Sequence, residues 1–356
     1  MAETLTGQQR IIRLVIKLLG ALPEPAQRLI AGKPTQIDGQ ILLTEVQMAL
    51  RLLNALPGSS FEELPLADAR AQVDAEAMIF GDHEHVDVVE ELRIPTRGGT
   101  IGARRYQRAA SERPWGAVTY FHGGGWVVGS LTSTDAVCRF LAARTGLEVY
   151  SIDYRLAPEH PFPAAVHDAV DAYRWVRERT AANLPVAVAG DSAGGNLSAV
   201  VCAEARDDTA GAPDFQLLFF PVADASRRTH SYELFGDGYF LTAAQMDWYI
   251  AHYLPNPKDR YDPRASPLLA DLAGQAPAHV AISGFDVLRD EGLAYATALR
   301  AAGVPTTTQL VEGHIHAFVN ANGVGRHSSR ALADSAAALV RGLQRSPRRS
   351  TSQISE

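Results

Sequence analysis

Gly190-Asp191-Ser192-Ala193-Gly194-Gly195 is the stretch whose reading decides the fold. It fits the pattern G-x-S-x-G. Four apolar residues, Val186-Ala187-Val188-Ala189, lead into it, and Asn196-Leu197-Ser198-Ala199-Val200-Val201 follows with the composition of a helix. A strand, a sharp turn and a helix are the context in which this pattern presents a serine hydroxyl at the end of a sheet. Small neighbours leave room for a strained backbone, and a helix N-terminus favours negative charge developing beside it. The same residues also suit a glycine-rich turn that holds a phosphate. The motif alone leaves both readings open.

Upstream, Phe121-His122-Gly123-Gly124-Gly125-Trp126 ends another apolar run. Three consecutive glycines are costly in chain entropy, and they are useful where backbone N–H groups must approach and face a ligand. A His-Gly-Gly-Gly loop is the oxyanion-hole element of lipases and esterases, paired there with the N–H of the residue after the nucleophile, here Ala193. A serine also needs a base and an orienting acid. In this type of sheet they follow the serine in the order acid, then histidine. Asp286 follows the apolar run Val280-Ala281-Ile282-Ser283 and Gly284, and His316 lies in Val311-Glu312-Gly313-His314-Ile315-His316-Ala317-Phe318. Their rivals are Asp290 and Glu291, which read as the acidic first turn of the next helix, and His314, which spacing alone does not separate from His316. His160 and His167 precede the serine, the wrong order.

Strand-like runs occur at residues 86–94, 99–106, 117–121, 148–152, 186–189, 216–220, 279–283 and 306–311. Helical stretches separate most of the later ones. Between 162 and 179, Ala165, Ala169, Ala172, Tyr173 and Val176 fall on one face, with Asp168, Asp171, Arg174 and Arg177 towards the other. The short, wholly apolar later strands are those of a parallel sheet covered on both faces, and the turn at Arg97-Gly98-Gly99 gives it an antiparallel start. Helices are expected at 8–19 and 44–53, with Leu22-Pro23-Glu24-Pro25 as a loop between them. Residues 223–255 carry Tyr232, Phe235, Tyr239, Phe240, Trp248 and Tyr249 and are too long for a simple connection. Together with the N-terminal helices they read as a cap. The expected organisation is a helical cap segment at 1–75, core at 76–222, cap insertion at 223–256, core at 257–345 and a flexible tail at 346–356.

Composition narrows the partners. A formal net charge of −7 gives no global basic footprint for nucleic acid. Two cysteines, Cys138 and Cys202, lie outside any C-x-x-C pair and are expected to be buried free thiols, which fits a reducing, cytoplasmic setting. No run is apolar enough to span a membrane, and no metal or organic cofactor is needed for serine chemistry. The stretch Ile11-Ile12-Arg13-Leu14-Val15-Ile16-Lys17-Leu18-Leu19 is interrupted by Arg13 and Lys17. It reads as an amphipathic helix packed on the protein, with a membrane-surface helix as the alternative.

Four segments together resemble the bacterial hormone-sensitive-lipase-like esterases of the α/β-hydrolase superfamily. They are His122-Gly123-Gly124-Gly125-Trp126, the run from Asp153 to Ala165 (sequence DYRLAPEHPFPAA), Gly190-Asp191-Ser192-Ala193-Gly194-Gly195-Asn196, and Phe285-Asp286-Val287-Leu288-Arg289-Asp290-Glu291-Gly292. The resemblance covers residues 80–345. It implies an α/β-hydrolase fold, an eight-stranded, mainly parallel sheet flanked by helices and carrying a helical cap. It also implies Ser192 as nucleophile, Asp286 as acid, and His316 as base, since the family's His-Gly-Phe triplet maps onto His316-Ala317-Phe318. The implied oxyanion donors are the N–H groups of Gly124, Gly125 and Ala193. The activity implied is hydrolysis of short- to medium-chain carboxylic esters, a small-molecule substrate class, and only the resemblance suggests a homodimer. The same triad would serve an amidase, lactonase or acyltransferase, and relatives that lose a triad member bind ligands without catalysis. Ala317 and His314 depart from the family pattern beside the base. The Asp153 to Ala165 run reads as a braced loop, with Arg155 and Glu159 spaced to pair.

Overall fold

The computed structural model describes residues 5–55, 60–111 and 113–350. The N-terminal part holds α1 (Gly7–Gly20), α2 (Glu24–Ala31), the small hairpin β1 (Gln36–Ile37) and β2 (Gln40–Ile41), α3 (Thr44–Asn54) and α4 (Leu66–Phe80). The core follows as β3 (Val88–Thr96), β4 (Gly99–Gln107), β5 (Ala117–Phe121), α5 (Asp135–Thr145), β6 (Glu148–Asp153), α6 (Ala164–Arg179), β7 (Val186–Asp191), α7 (Ala193–Glu204) and β8 (Phe215–Phe219). Then come α8 (His230–Phe235), α9 (Ala243–Tyr253), β9 (Ala278–Phe285), α10 (Arg289–Ala301), β10 (Thr306–Ile315), α11 (His327–Gln344) and α12 (Pro347–Ser350).

Among the described residues, eight strands form one sheet in the order β10-β9-β8-β7-β5-β6-β4-β3. β3, β4 and β6 pair antiparallel, and the rest pair parallel. The chain runs from β5 outward to β6, then returns to place β7 on the other side of β5. The order therefore reverses at the β5/β7 pair, where a crevice opens beyond the carboxyl ends of the strands. Phe121 pairs with Gly190 there, so the triple-glycine loop and the serine turn leave the sheet side by side. β5, β7, β8 and β9 are buried at every residue, which is why their sequences lack alternation. One apolar cluster joins β5 and β7 to α6 and α7, and a second joins the other face to α5 and α11. Cys138 and Cys202 are free and buried.

Several expectations need correction. The loop expected at Leu22-Pro23-Glu24-Pro25 contains only the start of α2, because Pro25 occupies the first turn, where its missing N–H costs nothing. The β1–β2 hairpin was not expected, since two-residue strands carry no periodicity. The first core strand starts at Val88 and the last continues to Ile315. Helix α4 runs through residue 75, where the cap segment was expected to end. The stretch from Ser346 begins docked, with Ser346 buried and Arg348 Nε 3.4 Å from Asp214; residues 351–356 lie outside the described residues. On α6 the polar face is not all outward. Asp168 and Arg177 are buried, and Arg177 caps the carbonyls of Thr180, Ala181 and Leu184.

The Asp153 to Ala165 loop is braced, but not by the expected pair. Arg155 grips Asp168 through Nε and Nη2, both at 2.8 Å, and its backbone N–H donates to the same carboxylate at 3.0 Å. Glu159 instead holds Arg70 of α4 through two contacts of 2.7 and 2.8 Å, tying the N-terminal part to this loop. Helix α1 also differs from expectation. A capping box between Thr6 and Gln9 starts it, Arg13 and Lys17 bond Met78 O at 3.0 Å and Asp82 at 3.1 Å, and Ile16 and Leu19 are only half-buried while Ile11, Leu14, Val15 and Leu18 are exposed. Most of its apolar face is thus exposed.

The contrast between a buried and an exposed pair gives a measurable difference. Asp168→Ala leaves the Arg155 guanidinium without its fork of acceptors and is expected to cost about 3 kcal/mol in urea unfolding. Arg228→Ala, which breaks an exposed pair with Asp247, is expected to cost about 0.5 kcal/mol or less.

Candidate active site

Ser192 sits between β7 and α7 with φ 55° and ψ −116°, a left-handed backbone that only a firmly held turn sustains. Its N–H donates to Phe219 O at 2.9 Å, and Asn196 and Val222 donate to its carbonyl. The turn is tight because Gly194 lies against the end of β5: a Cβ there would stand 1.9 Å from Phe121 O. Ala193 is the first residue of α7, so its N–H has no acceptor within the helix.

The triple-glycine loop faces this turn. Gly124 and Gly125 have φ of 108° and 56°. A Cβ on Gly125 would come 2.1 Å from the Tyr249 ring. Val127 and Val128 donate to Gly124 O, so the loop closes on itself with its carbonyl turned inward. His122 stacks on Tyr154 at 4.2 Å and bonds Gly123 O through Nδ1 at 2.7 Å, and Tyr154 O–H donates to His122 O at 2.7 Å. Asp191 ties the two loops together. It accepts from Tyr120 O–H at 2.8 Å and from the Gly123 N–H. Burial pushes its pKa up to about 6, opposed by the Tyr120 bond and by His316.

Asp286 and His316 meet through the register of the last two strands. Phe285 pairs with Ile315, so the next residue of each strand emerges alongside the other. His316 Nδ1 lies 2.7 Å from Asp286 Oδ2, while Asp286 Oδ1 accepts from Leu288 N–H at 2.9 Å. Both side chains are buried, and the His316 ring packs on Phe220 at 4.5 Å. Phe220 directly follows Phe219, whose carbonyl holds Ser192. The imidazole and the serine are thus positioned by neighbouring residues of one strand end.

The contest with His314 has a geometric origin. Val311 pairs with Ser283, and Ile315 pairs with Phe285. Four residues of β10 therefore match two of β9. Without this bulge, centred on Gly313 at φ 66°, the histidine alongside Asp286 would have been His314. In the structure His314 turns away. Its Nε2 bonds Ser328 Oγ at 2.9 Å, its Nδ1 accepts from Ile315 N–H, and burial lowers its pKa to about 4. Asp290 and Glu291 lie in the first turn of α10, as expected. Glu291 accepts the N–H of Ala223 at 2.8 Å and is pushed by burial up to about 8.

Sequence reasoning missed the roof over the glycine loop. Phe61, Trp248 and Tyr249 form an aromatic cluster with centroids 5.3–5.9 Å apart, joining the N-terminal part to the insertion. Gln245 and Glu62 bond beside it at 3.2 Å. Trp248 and Tyr249 were noted as aromatic, but Phe61 stands alone in a polar stretch that carries no periodic signal.

The arrangement has the parts for acyl transfer: a strained serine, an acid–imidazole pair and backbone donors at a helix N-terminus. Comparison with known proteins bears on the fold and on ester hydrolysis. A family model described as the alpha/beta hydrolase fold matches residues 118–320. The carboxylic ester hydrolase LipN of Mycobacterium tuberculosis is 41% identical over 353 residues, covering 95% of this chain and 93% of that protein. An ethyl acetate hydrolase of Pseudomonas putida is 38% identical, covering 74% of this chain and 86% of its own length. Among solved structures, an esterase of Pyrobaculum calidifontis superimposes with a TM-score of 0.79 at 38% identity, covering 84% of this chain and 98% of that one.

Two outcomes follow from the β10 end. Ala317, at φ 63°, carries a side chain in the left-handed region. Ala317→Gly is expected to raise stability by about 0.5–1 kcal/mol in urea unfolding. His314 is neutral when folded and titrates near its ordinary 6.5 when unfolded, so the unfolded chain binds the extra proton below pH 6.5. The stability it contributes is present above that pH and lost as pH falls towards about 4. Between those limits the wild type is expected to lose stability relative to His314→Gln at up to about 1.4 kcal/mol per pH unit. A flat difference would mean that His314 is not held neutral.

Proposed function

The chain belongs to the α/β-hydrolase family, and from that premise we propose that it is a serine carboxylesterase in which Ser192, His316 and Asp286 form the catalytic triad. The chain is an ester-hydrolysing enzyme, and its relatives are named carboxylic ester hydrolase, ethyl acetate hydrolase and carboxylesterase. The observation that carries the assignment of residues is the 2.7 Å contact between His316 Nδ1 and Asp286 Oδ2, at the strand ends beside the serine turn. In this reading Nδ1 donates its proton to the Asp286 carboxylate, which leaves Nε2 to act as base.

In the proposed mechanism Ser192 Oγ attacks the ester carbonyl carbon as His316 Nε2 takes its proton. The carbonyl oxygen becomes an oxyanion within reach of the N–H groups of Gly124, Gly125 and Ala193. Asp286 stabilises the imidazolium. When the tetrahedral species collapses, the C–O bond to the alcohol breaks and His316 returns the proton to the leaving oxygen. Water then repeats the sequence on the acyl-serine, releasing the acid. The aromatic roof of Phe61, Trp248 and Tyr249 above the glycine loop supports short- to medium-chain acyl groups as the substrate range. The 223–256 insertion and the N-terminal segment act together as the cap. Two buried free thiols fit work in the reducing cytoplasm. Among the described residues, no helix is long and apolar enough to cross a membrane.

Ser192→Ala is expected to abolish the burst of nitrophenol from a short-chain nitrophenyl ester, and a burst of normal size in that variant overturns the assignment. His316→Ala is expected to lower kcat by about 10⁴ or more, while His314→Ala keeps most of it. The reverse ranking would identify His314 as the base.

A further inference from the structure

Helix α1 touches the protein along a mixed edge, where Gln9, Arg13, Ile16 and Leu19 are half-buried and Gly20 is buried, and leaves most of its aliphatic side outside. Arg13 and Lys17 bond Met78 and Asp82 of the body, and Gly20 is buried against Gly325. Ile11, Leu14, Val15 and Leu18, spaced i, i+3, i+4 and i+7, are 48–65% exposed. They form an aliphatic stripe along one side of a fourteen-residue helix. Leu22 and Leu29 continue the exposed aliphatic run into α2, and Leu29 is 87% exposed. Ile12, Ile41, Leu52 and Leu53 also lie exposed in the same N-terminal part. Large exposed hydrophobic side chains are thus concentrated in one segment rather than scattered singly, and a concentration of this kind marks an interaction surface.

Charge identifies the occupant. Residues 5–54 contain six Arg and Lys against three acids, in a chain whose net charge is −7; Arg13 and Lys17 are paired with Asp82 and Arg28 with Glu24, while Arg10, Lys33 and Arg51 stay exposed. A two-fold interface with a second copy would bring this basic segment against its own image, which charge disfavours. An anionic lipid surface complements it, and a helix with aliphatic residues on one side and Lys and Arg on the other is the form that lies in a membrane interface. A cavity of about 390 Å³ opens behind α2 and α3, lined by Ala31, Lys33, Leu42, Leu50 and Tyr239 among others. Tyr239 packs on Phe285, the residue before Asp286.

We propose that the outward face of α1, extended by Leu22 and Leu29, docks the enzyme on an anionic lipid surface, with the helix lying in the interface and no segment crossing it. This proposal stands independently of the triad assignment.

The test is sedimentation of the full chain with vesicles of phosphatidylcholine containing about one-third phosphatidylglycerol, beside pure phosphatidylcholine vesicles. The wild type is expected to sediment with the anionic vesicles and to be released several-fold by about 0.5 M NaCl. The double variant Leu14→Glu with Leu18→Glu is expected to stay in the supernatant while hydrolysing a soluble nitrophenyl ester as the wild type does. Arg10→Glu, which leaves the aliphatic stripe intact, is expected to weaken binding at low salt, and it keeps the test decisive should the double variant fail to fold. A wild type that stays in the supernatant overturns the proposal, as does a folded double variant that still sediments or an Arg10→Glu variant that binds undiminished. A wild-type dimer that the double variant splits in light scattering, without vesicle binding by either, assigns the face to a second copy instead. Loss of ester hydrolysis alone bears on the triad and not on this surface.

Discussion

The contact on which the active-site crevice depends is between Gly194 and the carbonyl of Phe121. The first turn of α7 is pressed so closely on the end of β5 that no side chain fits between them. That approach bends the chain into the left-handed backbone of Ser192, and it sets the N-terminus of α7 directly beside the loop that leaves β5. Asp191 then bridges the two elements from below, through Tyr120 and the Gly123 N–H. A serine turn and a glycine loop that are far apart in sequence become one rigid surface, because neighbouring parallel strands end level with each other at the point where strand order reverses. Rigidity of this kind matters for donors that must point at a developing charge without reorganising.

The opposite wall is set by a defect. A straight pairing of β9 with β10 would deliver His314 to Asp286. The bulge at Gly313 lets two extra residues out of the ladder and delivers His316 instead. The displaced His314 is not idle bulk. It fills the space behind the bulge, accepts the Ile315 N–H and is anchored by Ser328, so the irregular backbone keeps its hydrogen bonds. Ala317 then turns through a left-handed conformation that glycine would adopt more easily. The tight packing around it, with Phe318 fully buried next door and its ring 5.3 Å from Phe220, holds the chain there.

Charge is distributed so that one carboxylate touches the imidazole. Asp286 contacts His316 directly and receives an N–H from Leu288. Asp191 is near enough to feel the imidazole but spends its bonds on Tyr120 and Gly123, and burial raises it to about 6. Glu291 is raised further, to about 8, by burial, against the lowering effect of the backbone N–H groups of Ala223 and Asp224. Protonation of Glu291 at neutral pH spares the region a further buried negative charge beside Asp224 and Asp286.

What could be read in the sequence was whatever is local. Each glycine motif, and the acid after its apolar strand, is written in a few consecutive residues, and each follows its expected strand in the structure. Partnerships between distant side chains were not legible: Arg155 takes Asp168 rather than Glu159, and Glu159 takes Arg70. The His314 or His316 choice depended on a bulge, which alternation cannot signal because the extra residues look like any others. Helix α1 shows the limit most clearly. Its periodicity reveals that it has an apolar and a charged side, and capping at Thr6 reveals where it starts. Neither says which side meets the protein. That depends on what α4 offers, and α4 presents the Met78 carbonyl at its C-terminal end, with the Asp82 carboxylate just beyond. A carbonyl and a carboxylate at a helix end attract cations. The helix therefore docks along the edge that carries Arg13, with Ile16 and Leu19 only half-buried, and Ile11, Leu14, Val15 and Leu18 keep the exposure that amphipathicity would ordinarily remove within the fold.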